Sequence, residues 1–342
     1  MGIRKITSYF LCLILCFLSC KKDDNNNITI ELRDRTDQQI IDNDSIVGYL
    51  ETHYYNASAF GASNPNPSIE DLIIGKLPDD GILPDPTNNT LLIEAVETFS
   101  VVFAETDYDY YILRLNQGGG DSPTFADKVR VNYEGRLLDE TIFDSTTNPA
   151  VFDLLSLVTG WSKAVPHFSV SEGFNEIGDG TVSFVNSGVG VMFLPSGLAY
   201  FASPPFAIPQ YSPLVFKFEL LQMSQNDHDG DGVPSYMEDL NGDGNFSVNF
   251  NDLKDTTDDD TDGDGRANFD DIDDDADGIL TQDEIVVTTY NEATKETLEA
   301  LPLESNQVLI KIKQELNGTF TGTVVTFTDT DADGIPDYLD KA

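Results

Sequence analysis

The chain has 342 residues, of which 19 are basic and 60 are acidic, giving a net charge of −41. This length exceeds one small domain, so two or three domains are expected. Because a charge of this sign repels a phosphate backbone, nucleic acid is not expected as a partner. The acidic residues are unevenly spread, since 31 of the 60 lie after Gln225. That bias favours cation binding or a strongly solvated segment at the C-terminal end.

The first twenty residues are typical of a bacterial lipoprotein signal. A basic start precedes an apolar run from Tyr9 to Leu18, which is too short to remain as a transmembrane helix. The run ends in Leu18-Ser19-Cys20, which resembles a lipobox. We therefore expect residues 1–19 to be a signal peptide, Cys20 to be lipidated and residues 20–41 to form a tether. An ordinary signal with a chance cysteine is the alternative. The lipid would make the chain an outer-membrane lipoprotein, facing the periplasm or exposed at the cell surface.

Residues 42–118 are interpreted as an N-terminal lead-in of helix and strands. A helix is predicted over Asp44–Asn56, because Ile46, Leu50 and Tyr54 belong to one apolar stripe. Two later runs of β-branched and aromatic residues predict strands. Since the segment alone has little core, we expect it to pack on the next domain. A seam between two copies of the chain is the open alternative.

Residues 119–224 contain segments in which apolar and polar residues alternate, as they do in half-buried strands. Apolar side chains alternate with polar ones near both ends of this segment, at Val129, Val131 and Tyr133 and at Phe216, Phe218 and Leu220. A short helix is predicted between them, because Trp161, Val165 and Phe168 follow helical spacing. The pattern predicts an α+β fold in which an antiparallel sheet wraps on one short helix.

Six short pieces of this segment resemble the FK506-binding-protein (FKBP) type peptidyl-prolyl isomerases. They are Val131-x-Tyr133-x-Gly135, Phe143-Asp144-Ser145, Val158-x-Gly160-Trp161, Leu198-Ala199-Tyr200, Ile208-Pro209, and Leu214-Val-Phe216 with Glu219-Leu-Leu221. They occur in the family's order, and the resemblance covers under a third of the chain. It implies an FKBP-like half-barrel for residues 119–224.

The resemblance also implies an isomerase of X-Pro peptide bonds that needs no cofactor for catalysis. Its catalytic residues would be Tyr133, Asp144, Val158, Trp161 and Tyr200. Its substrate-binding residues would be Phe143, Phe152, Leu157, Ile208 and Phe216. Trp161 would form the floor of an apolar pocket with Asp144 at its edge, while the Val158 N–H and the Tyr200 hydroxyl would meet substrate carbonyls. The alternative is that these aromatic residues are ordinary core.

Three departures from the family pattern are expected to affect the isomerisation rate and the preference for particular peptide sequences more than the fold. The loop between Ser145 and Phe152 is short and lacks the family's basic residue. A Gly-, Asn- and Ser-rich insertion covers roughly Ser171–Gly188. The rim segment Ala202–Ala207 lacks the family's usual histidine.

Residues 225–342 are predicted to be an acidic calcium-binding repeat region. Acidic residues recur at loop positions 1, 3, 5 and 12 with glycine at position 6, which is the pattern of a seven-coordinate Ca²⁺ site. The predicted metal ligands are Asp227, Asp229, Asp231, Glu238, Asp260, Asp262, Asp264, Asp271, Asp273, Asp275, Asp277, Glu284, Asp329, Asp331, Asp333, Asp337 and Asp340. A weaker copy begins at Asp239, and a merely solvated acidic tail is the alternative.

Two prolines distinguish these loops from paired EF-hands. Pro234 and Pro336 occupy loop position 8, where an EF-hand uses a backbone N–H that proline lacks. The pattern over Asp329–Asp337 instead resembles thrombospondin type 3 repeats.

The leading hypothesis is a lipid-anchored peptidyl-prolyl isomerase that assists the folding of envelope or surface proteins. Its partners would be proline-containing polypeptide clients and the membrane, and calcium would be structural. The alternative is a non-catalytic surface lipoprotein that binds a peptide or partner and is stiffened by its calcium-loaded tail. An adhesin with an FKBP-like scaffold is a third interpretation.

Overall fold

The structure, a computed structural model, describes residues 32–178, 180–315 and 317–341. The predicted signal peptide, Cys20 and the first part of the tether lie outside these residues. From Arg35 onward the chain forms one compact unit. Among the described helices, none has both the length and the apolar character needed to cross a bilayer.

Short strands dominate the described part of the chain. In chain order they are β1 (His53–Tyr55), β2 (Ile74–Lys76), β3 (Thr90–Leu91), β4 (Val96–Phe103), β5 (Thr106–Asn116), β6 (Lys128–Leu137), β7 (Ile142–Ser145), β8 (Ala150–Asp153), β9 (Gly173–Glu176), β10 (Val182–Val185), β11 (Gly188–Leu194), β12 (Leu214–Ser224), β13 (Ile285–Glu292), β14 (Gln307–Gln314) and β15 (Phe320–Phe327). The α-helices are α1 (Arg35–Thr52), α2 (Leu92–Ala95), α3 (Thr159–Ala164), α4 (Thr281–Glu284) and α5 (Lys295–Glu299).

A seven-stranded antiparallel sheet is the centre of the fold. Its order is β4-β5-β11-β12-β6-β7, and β8 pairs with the half of β6 that β7 leaves free. On one face of the sheet lies α3, which is followed directly by a 3-10 turn over Val165–His167. Trp161 in α3, Val165 in the turn and Phe168 just after it are buried, as their spacing predicts. The predicted α+β fold is confirmed.

The lead-in segment contributes two strands to this sheet and packs its first helix on it. Strand β5 pairs with β11, and β4 forms the outer edge. Helix α1 covers the other face, where Ile46 and Leu50 pack with Phe193. The helix begins at Arg35, nine residues before the predicted Asp44, so part of the expected tether is helical. The early turns escaped prediction because they bury polar residues.

Three smaller sheets complete the described fold. Strands β2-β1-β3 form one, the β9–β10 hairpin another, and β13-β15-β14 a third within the repeat region. The third sheet shares a small apolar core with Val233 and Tyr338, which lie in the first and last acidic loops. The repeat region therefore folds back on itself.

Asp42 links α1 to the turn before Tyr200, and its removal is expected to destabilise the fold. The carboxylate is 1% exposed and accepts hydrogen bonds from the Ser196 N–H at 2.7 Å and the Ser196 hydroxyl at 2.6 Å. Asp42→Ala should lower the free energy of unfolding by about 2–4 kcal/mol, because a buried N–H loses a charged acceptor. Chemical denaturation measures this. Asp44→Ala on the exposed side of α1 is the control, and equal costs for the two variants would contradict the assignment.

Candidate active site

An aromatic-lined cavity of about 380 Å³ lies between the large sheet and α3. The side chains that line it are Tyr133, Phe143, Asp144, Phe152, Ser156, Leu157, Val158, Trp161, Tyr200 and Phe216. Nine of the ten residues predicted for catalysis or substrate binding therefore meet at one cavity. The exception is Ile208, which is 6% exposed and packs in the same apolar core without lining the cavity.

Ser156 lines the cavity but was not predicted. It belongs to a 3-10 turn over Leu154–Ser156, and its hydroxyl donates to the Asp153 carbonyl at 2.7 Å. The residue lies outside the family motifs, so only the turn geometry reveals it. Asp153 also caps this turn by accepting from the Leu155 N–H at 3.0 Å.

The aromatic rings of the cavity meet edge to face. The Trp161 ring centroid lies 5.3 Å from that of Phe216 and 5.6 Å from that of Tyr133, with interplanar angles of 66° and 89°. Phe143 meets Phe216 at 5.6 Å and 90°. Such contacts contribute beyond area burial, by about 0.5–1.5 kcal/mol per pair. The walls therefore support one another and keep an apolar floor at Trp161.

Two glycines allow this close approach. A Cβ built at Gly135 would lie 2.6 Å from the Phe143 ring and 2.9 Å from the Phe216 ring. A Cβ at Gly160 would lie 2.3 Å from a methyl carbon of Leu194. Gly135 thus leaves room on β6 for the Phe143 and Phe216 rings, and Gly160 lets α3 approach the sheet closely enough to form the cavity.

Four polar groups line this apolar space, namely the Tyr133 and Tyr200 hydroxyls, the Asp144 carboxylate and the Val158 N–H. The Tyr133 hydroxyl donates to Asp144 Oδ2 at 2.5 Å, and burial followed by this hydrogen bond raises the pKa of Tyr133. Burial, with a smaller effect of the Asp144 charge, also raises the pKa of Tyr200. Within the described residues, neither the Tyr200 hydroxyl nor the Val158 N–H donates a hydrogen bond. Both donors are available to a carbonyl oxygen in the cavity.

The predicted departures lie outside the cavity lining. The insertion contains the β9–β10 hairpin, on which Phe174 and Ile177 are exposed. In the rim segment Ala202–Ala207, Phe206 is fully exposed. The cavity lining contains no residue from either segment.

Four of the five acidic loops share one backbone geometry. Asp227 accepts hydrogen bonds from the N–H groups of Gly230 at 2.7 Å and Gly232 at 3.1 Å. The same pair of bonds recurs at the loops that begin at Asp239, Asp260 and Asp329. Gly232 has a φ of +101°, which side chains disfavour, and this explains the glycine at position 6. The loops end in 3-10 turns or a single α-turn, not in long helices.

Twelve of the seventeen predicted metal ligands belong to clusters in which carboxylate oxygens lie within 4.8 Å of one another. Three clusters come from single loops, namely Asp260, Asp262 and Asp264; Asp273, Asp275 and Asp277; and Asp329, Asp331 and Asp333. The fourth contains Asp229, Asp231 and Glu238 and is joined by Asp274, which was not predicted. The predicted ligands outside the clusters are Asp227, Asp271, Glu284, Asp337 and Asp340.

Residues outside the clusters have other contacts. Asp337 accepts from the Thr330 N–H at 2.7 Å and from its hydroxyl at 2.8 Å. Asp271 lies 3.7 Å from Arg266. Burial, then the charge of Asp275, raises the pKa of Glu284 to about 7.

Comparison with known proteins identifies the class of the central domain. Residues 119–221 match the family model for FKBP-type peptidyl-prolyl cis-trans isomerase, and residues 228–311 match one described as BamM C-terminal. These 103 residues from 119 to 221 are thus an FKBP-type peptidyl-prolyl isomerase domain.

Individual relatives bear the same description. The FKBP-type peptidyl-prolyl cis-trans isomerase FkpA of Aeromonas hydrophila is 30% identical over 168 residues, which cover 48% of this chain and 56% of the relative. The FKBP-type 22 kDa peptidyl-prolyl cis-trans isomerase of Escherichia coli is 34% identical over 113 residues, covering 32% of this chain and 47% of the relative. The matched regions span about half the length of these two relatives. A solved peptidyl-prolyl cis-trans isomerase from Pseudomonas syringae is 28% identical, with a TM-score of 0.30 over 38% of this chain and 82% of that one.

Proposed function

We propose that the chain is a peptidyl-prolyl cis-trans isomerase that acts at the Trp161 cavity. The observation that carries this proposal is the convergence of edge-to-face aromatic rings with three polar groups, namely Asp144, the Tyr200 hydroxyl and the Val158 N–H. The match of residues 119–221 to the isomerase family supports it.

The reaction requires rotation about a peptide bond and breaks no covalent bond. Rotation about a peptide bond has a barrier of about 18–20 kcal/mol, because the C–N bond must lose its partial double-bond character. A twisted amide is less polar than a planar one, so a dry apolar cavity favours it over the planar ground state. Trp161 and Phe216 supply that environment, while Tyr200 and Val158 hold carbonyl oxygens and so fix the chain on either side of the rotating bond.

Asp144→Ala is expected to lower kcat/KM for an X-Pro peptide roughly tenfold, equivalent to about 1.4 kcal/mol. The variant removes the acceptor that fixes the Tyr133 hydroxyl and the charge closest to Tyr200. A protease-coupled isomerisation assay measures the change.

Asp107→Ala removes an exposed carboxylate from β5 outside the cavity and is the matched control. Equal activity of Asp144→Ala and Asp107→Ala would contradict a role for Asp144. Tight peptide binding without turnover by the unaltered protein would favour the non-catalytic binding protein instead.

The proposed clients are proline-containing polypeptides at the cell envelope, reached from a lipid anchor on Cys20. The support for this location is the lipobox-like sequence and the short apolar run before it. A short tether would keep the FKBP-type domain near newly exported chains. Incorporation of labelled palmitate by the natural chain, and its loss in Cys20→Ser, tests the anchor.

Calcium is proposed as a structural ion of the repeat region. Its residues fit a hard cation, because the clusters offer only carboxylate oxygens and several of those oxygens are buried without a hydrogen-bond partner. The single-loop clusters at Asp260, Asp273 and Asp329 would each hold an ion through three carboxylates. The bound ion would supply the positive charge that lets these acidic loops stay folded.

A further inference from the structure

The fourth carboxylate cluster differs from the others because it joins two loops. Asp229, Asp231 and Glu238 belong to the first acidic loop, and Asp274 comes from the third loop, which begins at Asp273 if the weaker copy at Asp239 is left out of the count. Each offers an oxygen within 4.8 Å of the others. A divalent ion at this point would connect segments that are more than thirty residues apart in sequence.

Contacts that involve no metal hold these segments together. The Phe269 ring, just before the third loop, stacks on Phe246 at 4.0 Å and 14° and meets His228 edge to face at 5.4 Å. The Asp274 N–H donates to the Thr281 hydroxyl at 3.3 Å. The packing of Phe269 on His228 therefore helps to place Asp274 beside the first loop.

The cluster is buried, and its oxygens lack partners. Glu238 is 0% exposed and Asp274 2% exposed, and both oxygens of each are buried without a hydrogen bond. One oxygen each of Asp229 and Asp231 is in the same state. Among the described residues, no lysine or arginine lies within ion-pair distance of these four side chains. Buried carboxylate oxygens without partners are costly, and natural structures pair such charges or coordinate a metal with them.

The electrostatic environment agrees with this geometry. Burial, followed by the charges of Asp231 and Asp229, raises the pKa of Asp274 to about 9. Burial, followed by the charge of Asp231, raises the pKa of Glu238 to about 11. A nearby cation would reverse both effects by favouring the charged carboxylates.

We propose that Asp229, Asp231, Glu238 and Asp274 form one Ca²⁺ site shared by the first and third loops. Oxygen-only ligands of high negative charge select a hard divalent cation, and the remaining positions would be filled by water or carbonyl oxygens. Asp274 is the ligand that extends the site from the first loop to the third, so the bound ion would link the two loops. The proposal rests on calcium binding by the repeat region and is independent of the isomerase activity.

The first loop, which the shared ion would fix, also contacts the FKBP-type domain. The side-chain amide of Asn226 donates to Asp153 at 2.9 Å, and a ring nitrogen of His228 lies 3.0 Å from the same carboxylate. Asp153 also caps the turn that leads to Leu157 and Val158 in the cavity wall. Fixing the first loop therefore also supports one wall of the cavity.

The test is Asp274→Asn in the full chain, with Ca²⁺ as the probe in isothermal titration and thermal unfolding. Because asparagine removes a charge at nearly constant volume, the variant should lose one bound Ca²⁺ or bind it at least tenfold more weakly. Its effect on the melting temperature should change sign with calcium. Without the ion the variant should melt higher than the unaltered protein, since asparagine avoids the cost of burying a carboxylate, and with the ion it should melt lower.

Asp270→Asn, whose side chain is 67% exposed in the same segment, is the control and should keep the natural number of bound ions. Glu238→Gln should lose the same ion as Asp274→Asn. If Glu238→Gln loses an ion and Asp274→Asn does not, the site belongs to one loop and the shared site is wrong. If no Ca²⁺ binds to the unaltered protein, the proposal is wrong while the isomerase assay stands unaffected.

Discussion

Chelation of divalent cations is expected to unfold residues 225–341 while the large sheet stays folded. The repeat region has only a small apolar core around Val233, Val325 and Phe327, against a dense set of carboxylates. Each Ca²⁺ that binds only the folded state adds about 2.7 kcal/mol of stability at a free concentration one hundred times its Kd. Losing several ions removes more than a typical margin of folding stability.

Limited proteolysis and circular dichroism measure this effect. With a chelator, cleavage should concentrate after Gln225, and added millimolar Ca²⁺ should restore protection. Because simple screening also weakens repulsion between acidic groups, K⁺ at equal ionic strength is the control and should restore little. Equal cleavage with and without Ca²⁺ would show that the region folds without the ion.

Trp161→Leu is expected to lower kcat/KM roughly 10- to 100-fold, a loss of about 1.4–2.7 kcal/mol of transition-state stabilisation. The indole is 3% exposed and contacts the rings of Tyr133, Phe152 and Phe216, so leucine leaves the cavity without its floor. The same change should cost about 2–4 kcal/mol of folding stability.

Phe168→Leu separates activity from stability. Phe168 is fully buried in the same core but does not line the cavity. This control should lower stability by a comparable amount and leave kcat/KM within about twofold at a temperature where both variants are folded. If both variants lose activity equally, the effect of Trp161 comes from general destabilisation rather than from the cavity.

Most of the cavity lining could be predicted because its residues lie in or beside the short pieces that resemble the FKBP family. Tyr133 and Phe216 follow strand alternation, and Gly135 and Gly160 mark places where backbones approach closely. Ser156 could not be found in this way, because it reaches the cavity through a turn rather than through a motif.

Features that depend on distant contacts were missed. The first turns of α1 bury Gln38, Gln39 and Asp42, so their sequence lacks the apolar stripe that predicts a helix. Asp274 occupies loop position 2, which the calcium pattern leaves without a ligand, and only the packing of one loop on another brings it to Glu238. The spacing of acidic residues within a loop predicts the ligands that this loop contributes, but it does not predict a ligand contributed by another loop.

The rate of cis–trans exchange in an X-Pro peptide, measured by exchange NMR at substoichiometric protein, tests the central claim most directly. The same spectra report binding, through shifts of the peptide signals, and turnover, through exchange between the two isomers. We predict accelerated exchange with the unaltered protein, and binding with strongly reduced exchange for Trp161→Leu. Peptide shifts without any acceleration by the unaltered protein would contradict an enzyme at this cavity.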